Sequence, residues 1–440
     1  MISACTIVTN IFTPQYVYGE EIDNEVLMEN VSNDEEAPEL NIRTSISDSS
    51  AEMQEFNNSV TVGAYVAIDA KTGEILMGKN ENKTMYPASL TKVLTSLLLI
   101  ENKSMDDTLV VSKEATEIGE ASVYVREGEV FTAKDLLYAM MLKSANDACY
   151  VVGEGVSGIG NIESFYALMN QRARQAGAMN SNFSSSNGLH QDTHYTTAYD
   201  LGLITKEAIK YPEFREAMGT QSYVLNREGD DVLKTIYHTN RMIFENKPEY
   251  NEYSLGGKTG FTTEAQNCLI EVAKKDDMEI IVVALKAAPG HIYSDTNKII
   301  NHVLDNYKST PLLVTDESTE EINGAYLTYA PKEAVTYVTK GDSTETINSR
   351  VDMKLDEHLT GTILAGTIIG TASVYVNDGL YKTVDLVATN DIEIPKLSTF
   401  SLIRNLVLVI VVILIIKLIQ VVIRHRKRKI ETYMKKSNLY

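Results

Sequence analysis

Three short motifs, a tetrad and two triplets, stand in a fixed order along the chain: Ser89-Leu90-Thr91-Lys92 at the start of an apolar helix, then Ser144-Ala145-Asn146, then Lys258-Thr259-Gly260 after a glycine pair. A fold that uses all three must bring a helix start, a helix end and a strand to one place, and few architectures do so. Each motif alone is weak. At residue frequencies of roughly 5–7%, a chain this long supplies about one or two chance matches to SxxK and to SxN, and a KTG about once in ten. Ser89–Lys92 is the one SxxK here, whereas Ser185-Ser186-Asn187 and Lys71-Thr72-Gly73 are second matches to the other two. Order and local context therefore decide.

Pro87-Ala88 leads into Ser89, and Leu90, Val93, Leu94, Leu97 and Leu98 recur with helical spacing. Ser89 is expected in the first turn of a largely buried helix, where main-chain N–H groups and the positive dipole end favour developing negative charge. Lys92 stands one turn on, so its ammonium reaches back to the Ser89 hydroxyl. An apolar setting makes that lysine costly to charge and lowers its pKa toward a useful base. Taken alone, the pair also reads as a helix cap and a surface lysine.

Thr132 through Met141 reads as an amphipathic helix with Thr132 as N-cap and Asp135 in its first turn, which puts Ser144-Ala145-Asn146 at the helix end. A serine there can relay protons and an asparagine amide can bond a substrate amide; a polar inter-helix turn is the plainer alternative. Lys258-Thr259-Gly260 precedes two strand-like runs, Asn267–Ala273 and Glu279–Leu285, split by a turn at Lys274–Asp277. It is expected on or entering a sheet edge, where glycine lets a ligand approach the backbone and the lysine and threonine suit a carboxylate. Lys71-Thr72-Gly73 lies between Ala64–Ile68 and Ile75–Met77, reads as a hairpin turn, and precedes the serine; it is set aside.

With Asp69 through Lys92, Ser144-Ala145-Asn146-Asp147-Ala148, Asn187-Gly188-Leu189-His190, His194 through Asp200, and Gly257 through Leu269, the chain resembles the serine-type D-alanyl-D-alanine carboxypeptidases among the low-molecular-mass penicillin-binding proteins. The resemblance implies an α/β (α+β) fold: a β-lactamase/transpeptidase-like catalytic domain with helices packed on an antiparallel sheet, then a small all-β domain; the apolar C-terminal run adds a transmembrane helix, with an interfacial amphipathic anchor as the alternative. The resemblance also implies Ser89 as acylated nucleophile, Lys92 as its proton acceptor and Ser144 as a proton-shuttling hydroxyl. Asn146 becomes a substrate-amide contact and Lys258 with Thr259 the carboxylate anchor, Gly260 completing the substrate-binding residues. The substrate would be the peptidoglycan stem peptide, with β-lactams as covalent inhibitors and no cofactor. Gln266 departs from the pattern, which has glycine there. D,D-endopeptidase, transpeptidase or β-lactamase activity on the same fold are the alternatives; no ExxLN-like tetrad supplies the base a class A β-lactamase needs after Ser144.

The expected division is a signal-peptide-like segment over 1–19, an acidic flexible leader over 20–58, the catalytic domain over 59–308, a β-rich domain over 309–395, a transmembrane helix over 402–423 and a basic cytoplasmic tail over 424–440. In the β-rich stretch, runs such as Ala334–Val338 and Thr371–Val376 are split by turns like Asn377-Asp378-Gly379. A formal charge of −20 argues against nucleic-acid binding, which needs a basic face. There is no HExxH, Cys149 and Cys268 read as buried free thiols, and His190 and His194 read as structural. Leu406–Ile416 is unbroken apolar, and Arg424-His425-Arg426-Lys427-Arg428-Lys429 follows the span, so the positive-inside rule puts the tail in the cytoplasm and the catalytic domain outside.

Overall fold

The computed structural model describes residues 51–229, 232–341, 347–395 and 399–437. The signal-peptide-like segment and residues 20–50 of the leader lie outside the described residues. The end of that leader is not a flexible chain: Ala51–Ser59 is a helix (α1), with Met53 buried and Phe56 set edge-on to Tyr65 and against His302. The apolar Met53 and Phe56 lie three apart on one helix face, and that face seals the sheet.

An antiparallel sheet organises the first part of the chain. Its strands are β1 (Ala64–Asp69), β2 (Ile75–Lys79), β3 (Ser254–Thr262), β4 (Gln266–Lys275) and β5 (Met278–Ala287), ordered β2-β1-β5-β4-β3. Every residue of β1 is buried, because both faces of the sheet are covered. Ala64, Val66 and Ile68 face a helical layer, whereas Tyr65 and Ala67 face α1 and a late helix. Lys71-Thr72-Gly73 is the β1–β2 turn, where the Gly73 N–H donates to the Asp69 carbonyl at 2.8 Å.

The helical layer is built from α2 (Lys92–Asn102), α3 (Ala133–Leu142), α4 (Asn146–Ser157) and α5 (Ala198–Ala208). Leu94, Leu97 and Leu98 of α2 lie at its centre, and burying each contributes about 1.5–3 kcal/mol. Thr132 and Asp135 form a full capping box at the start of α3. On the opposite face lies α6 (Ile292–Asn306), with Ile299, Ile300, Val303 and Leu304 turned inward.

Between α6 and residue 395 the described residues form strands and turns. The strands β6 (Ser318–Ile322), β7 (Ala325–Pro331), β8 (Ser349–Leu355), β9 (Ile368–Val376) and β10 (Gly379–Ala388) form a second antiparallel sheet ordered β6-β7-β10-β9-β8, over an apolar cluster of its own. The β9–β10 turn has Asn377 and Asp378 at φ 50° and 66°, the type I′ geometry that these residue types accept. A last helix, α7 (Thr399–Ser437), contains Val407–Arg428, which is long and apolar enough to cross a membrane and has exposed side chains throughout. The helix continues through the basic run that follows the expected span.

Candidate active site

The strand β3 is one of the two edge strands of the first sheet, and its Gly260 is pressed against the start of the helical layer. A Cβ at Gly260 would lie 3.1 Å from the Ser89 nitrogen, so the absence of a side chain lets strand and serine meet. Ser89 sits in a 3-10 turn over Ala88–Thr91, and the α-helix proper begins at Lys92, one turn later than the periodicity predicts. The tighter turn has Ala88 at φ 49°, a left-handed conformation that is costly for alanine. Gly188 abuts it so closely that a Cβ there would lie 1.8 Å from the Ala88 carbonyl oxygen.

Lys92 is fully buried beneath this turn. Its Nζ lies 2.9 Å from Ser89 Oγ, 2.8 Å from Asn146 Oδ1 and 2.6 Å from the Asn187 carbonyl. Because Asn146 Nδ2 donates to the Gly119 carbonyl at 3.0 Å, its Oδ1 is the end that faces the lysine. Burial pushes the Lys92 pKa below its usual value, partly opposed by Cys149, Asp147 and Glu120. A neutral amine has two N–H donors and one lone pair. In that form the two carbonyl oxygens would take the donors, and the lone pair would face the Ser89 hydroxyl.

Ser144 has φ 61° in the turn between α3 and α4, which turns its side chain out of both helices. Its Oγ accepts from Lys258 Nζ at 3.0 Å, and Lys258 also donates to the Thr259 carbonyl at 2.8 Å. Lys258 is fully buried and does not line the cleft; Ser144 stands there instead. Burial, and then the charge of Lys92, hold the Lys258 pKa well below its usual value. Thr259 does border the cleft, with its Oγ1 at 2.6 Å from Thr239 Oγ1.

These groups line one cleft of about 270 Å³, which also has Phe261 and Tyr293 in its walls. The structure thus brings Ser89, Ser144, Asn146, Thr259 and Gly260 to one surface, with Lys92 and Lys258 beneath it. Asn187, Thr239 and Tyr293 join the site without a role read from the sequence. The Asn187-Gly188 dipeptide is a turn signal, but nothing in it shows that its carbonyl meets a lysine on another element. His194 lies below the turn, neutral: Nε2 is 2.8 Å from Thr91 Oγ1, Nδ1 accepts from the Ser184 N–H, and burial lowers its pKa to about 3. Cys149 and Cys268 are free and buried.

Comparison with known proteins agrees with this geometry. Residues 50–289 match the family model for D-alanyl-D-alanine carboxypeptidase, and residues 309–394 match the C-terminal domain of penicillin-binding protein 5. The D-alanyl-D-alanine carboxypeptidase DacF of Bacillus subtilis is 28% identical over 347 residues, covering 76% of this chain and 87% of the relative. DacD of Salmonella typhimurium is 24% identical over 355 residues, covering 76% and 87%. Among solved structures, penicillin-binding protein 5 from Haemophilus influenzae shares the fold with a TM-score of 0.57 at 21% identity, over 76% of this chain and 97% of that one. A peptidoglycan synthesis regulatory factor (PBP3) from Streptococcus pneumoniae gives a TM-score of 0.60 at 21% identity, over 76% and 100%.

Proposed function

This chain belongs to the D-alanyl-D-alanine carboxypeptidase family of serine peptidases, and from that premise we propose that Ser89 is its acylated nucleophile and Lys92 the base that frees it. The enzyme is a serine-type D-Ala-D-Ala carboxypeptidase that acts on peptidoglycan peptides through an acyl-enzyme, and it takes β-lactams as covalent inhibitors. The observation that carries the assignment of roles is the pair of carbonyl acceptors on Lys92, which, when the amine is neutral, leave its lone pair for Ser89 Oγ.

In acylation the Ser89 oxygen attacks the carbonyl of the penultimate D-alanine while its proton passes to Lys92. The oxyanion meets the Ser89 N–H and a main-chain N–H of the edge strand next to Gly260. The proton taken by Lys92 passes on to the leaving amine by way of the Ser144 hydroxyl, which Lys258 supports from behind, and Lys92 returns to its neutral form. Water then attacks the ester with Lys92 again as base, and the shortened stem peptide leaves. Asn146 lies between the two steps, holding Lys92 and bordering the substrate's amide path. The catalytic part spans 59–308 and the β-rich part 309–395, the latter spacing the cleft from the membrane. The apolar segment of α7 spans the membrane once, with the catalytic part outside and the basic end inside.

Mass spectrometry of muropeptides incubated with the enzyme tests this reading. Loss of one terminal alanine from pentapeptide stems, absent with Ser89→Ala, supports it; intact pentapeptides, or cross-linked products in place of trimmed ones, overturn it. Protease added outside intact cells should release an active ectodomain and leave a C-terminal stub, and protection of the catalytic part would reverse the orientation.

A further inference from the structure

We propose that Thr239 supplies a second hydroxyl, beside Thr259, for the substrate's terminal carboxylate, and that the pair sets a preference for a free-acid over an amidated terminus. The proposal rests on the carboxypeptidase reading and deepens it.

The carboxylate of the leaving alanine needs donors at the cleft surface. Lys258 does not reach that surface, since its Nζ is bonded to Ser144 Oγ and the Thr259 carbonyl. Arg241, on the same loop as Thr239, is held in an ion pair with Glu249 at 2.9 Å. Thr239 and Thr259 are different: their hydroxyls lie 2.6 Å apart, Thr259 borders the cleft, and Thr239 is exposed.

Everything else about Thr239 is fixed. Its N–H donates to the Leu142 carbonyl at 3.1 Å, which ties it to the helix end that carries Ser144. Its carbonyl accepts from the hydroxyl of Tyr293, another wall residue, at 3.0 Å. The next residue, Asn240, is fully buried: it donates from Nδ2 to Glu271 Oε2 at 2.7 Å, accepts from the Met242 N–H at 3.0 Å, and donates its N–H to His238 Nδ1 at 2.9 Å. Glu271 stands on β4 opposite Gly257, just before the KTG, and also accepts from Ser254. The loop is therefore anchored to the β3–β4 ladder and to the α3 end at once, with one hydroxyl left projecting. A threonine side chain is stiff at χ1, so this hydroxyl is held in place before any ligand arrives.

Two hydroxyls this close share at most one hydrogen between them, which leaves at least one proton for a third group. A carboxylate offers an acceptor oxygen to each hydroxyl. A terminal amide offers one neutral oxygen and an NH₂ that cannot accept. The bonds donated to the charged carboxylate are the stronger, so the pair favours the free acid.

The test uses the full-length enzyme and two matched stem peptides, one ending in D-alanine and one in D-alaninamide. Thr239→Val keeps the shape and removes the hydroxyl; Thr239→Ser restores it. The ratio of kcat/KM for the acid over the amide should fall about tenfold in Thr239→Val, mainly through KM for the acid, and stay within about twofold of the native ratio in Thr239→Ser. An unchanged ratio in Thr239→Val, or an equal loss on both peptides, would overturn the proposal while leaving the carboxypeptidase reading in place. Failure of the native enzyme to release the terminal residue from either peptide would remove that reading and the proposal with it.

Discussion

Lys258 donates to Ser144 Oγ at 3.0 Å and lies fully buried behind that hydroxyl, so the lysine of the KTG acts on the cleft at one hydroxyl's remove. In the protein alone its charge is opposed by burial and by Lys92. An arriving carboxylate supplies the missing counter-charge and favours the ammonium form. Substrate binding and the protonation of Lys258 are therefore coupled.

That coupling makes Lys258→Gln a specific test. Lys258 acts on the carboxylate through Ser144 and not by direct contact, so kcat/KM for a free-acid peptide should fall about tenfold, equivalent to roughly 1.4 kcal/mol. A peptide with an amidated terminus lacks the counter-charge and should lose much less. Equal losses on the two peptides, measured side by side, would show that Lys258 merely holds Ser144 and the strand.

The depressed pKa of Lys92 has a signed consequence for pH. Lys92 accepts the Ser89 proton only when neutral, so acylation slows as pH falls through its lowered pKa and is fully developed above it. The second-order rate of penicillin acylation should thus rise to a plateau with a midpoint below the 10.5 of an ordinary lysine. A rate still climbing steeply near pH 10 would mean that Lys92 stays charged and that another group is the base.

Much of this site is legible from local rules. Ser89 and Lys92 are one helical turn apart, and that spacing alone places a nitrogen beside a hydroxyl. The capping box of Thr132 and Asp135 and the turn at Asn377-Asp378 are likewise set by neighbours in sequence. What stays hidden depends on distant partners. The Asn187 carbonyl reaches Lys92 only because Gly188 lets its loop press on Ala88. Thr239 gains a role because Asn240, beside it, finds Glu271 across the fold. Glu271 interrupts an apolar strand, and its buried carboxyl is pushed up to about 7 by desolvation, with bonds from Ser254 and Asn240 opposing. Helix α1 is missed because its composition is polar: Met53 and Phe56 anchor it by packing, and Asn57 accepts bonds from Tyr65 of β1 and Lys79 of β2.

Gln266 shows the reverse, a departure visible in sequence whose cause is structural. It has φ 56° at the start of β4, a conformation that glycine adopts freely and other residues at a cost of roughly 1–2 kcal/mol. Gln266→Gly should raise stability in urea unfolding by about 0.5–1 kcal/mol, after the extra flexibility of glycine in the unfolded chain is counted. A loss of stability would mean that the glutamine side chain makes contacts that outweigh the strain.

The central claim is that Ser89 carries the acyl group, and intact-mass analysis followed by peptide mapping after exposure to benzylpenicillin tests it most directly. The native enzyme should gain one penicilloyl group, mapped to the peptide containing Ser89, and Ser89→Ala should gain none while keeping its fold by circular dichroism. An adduct that persists in Ser89→Ala, or that maps to Ser144, would contradict the account.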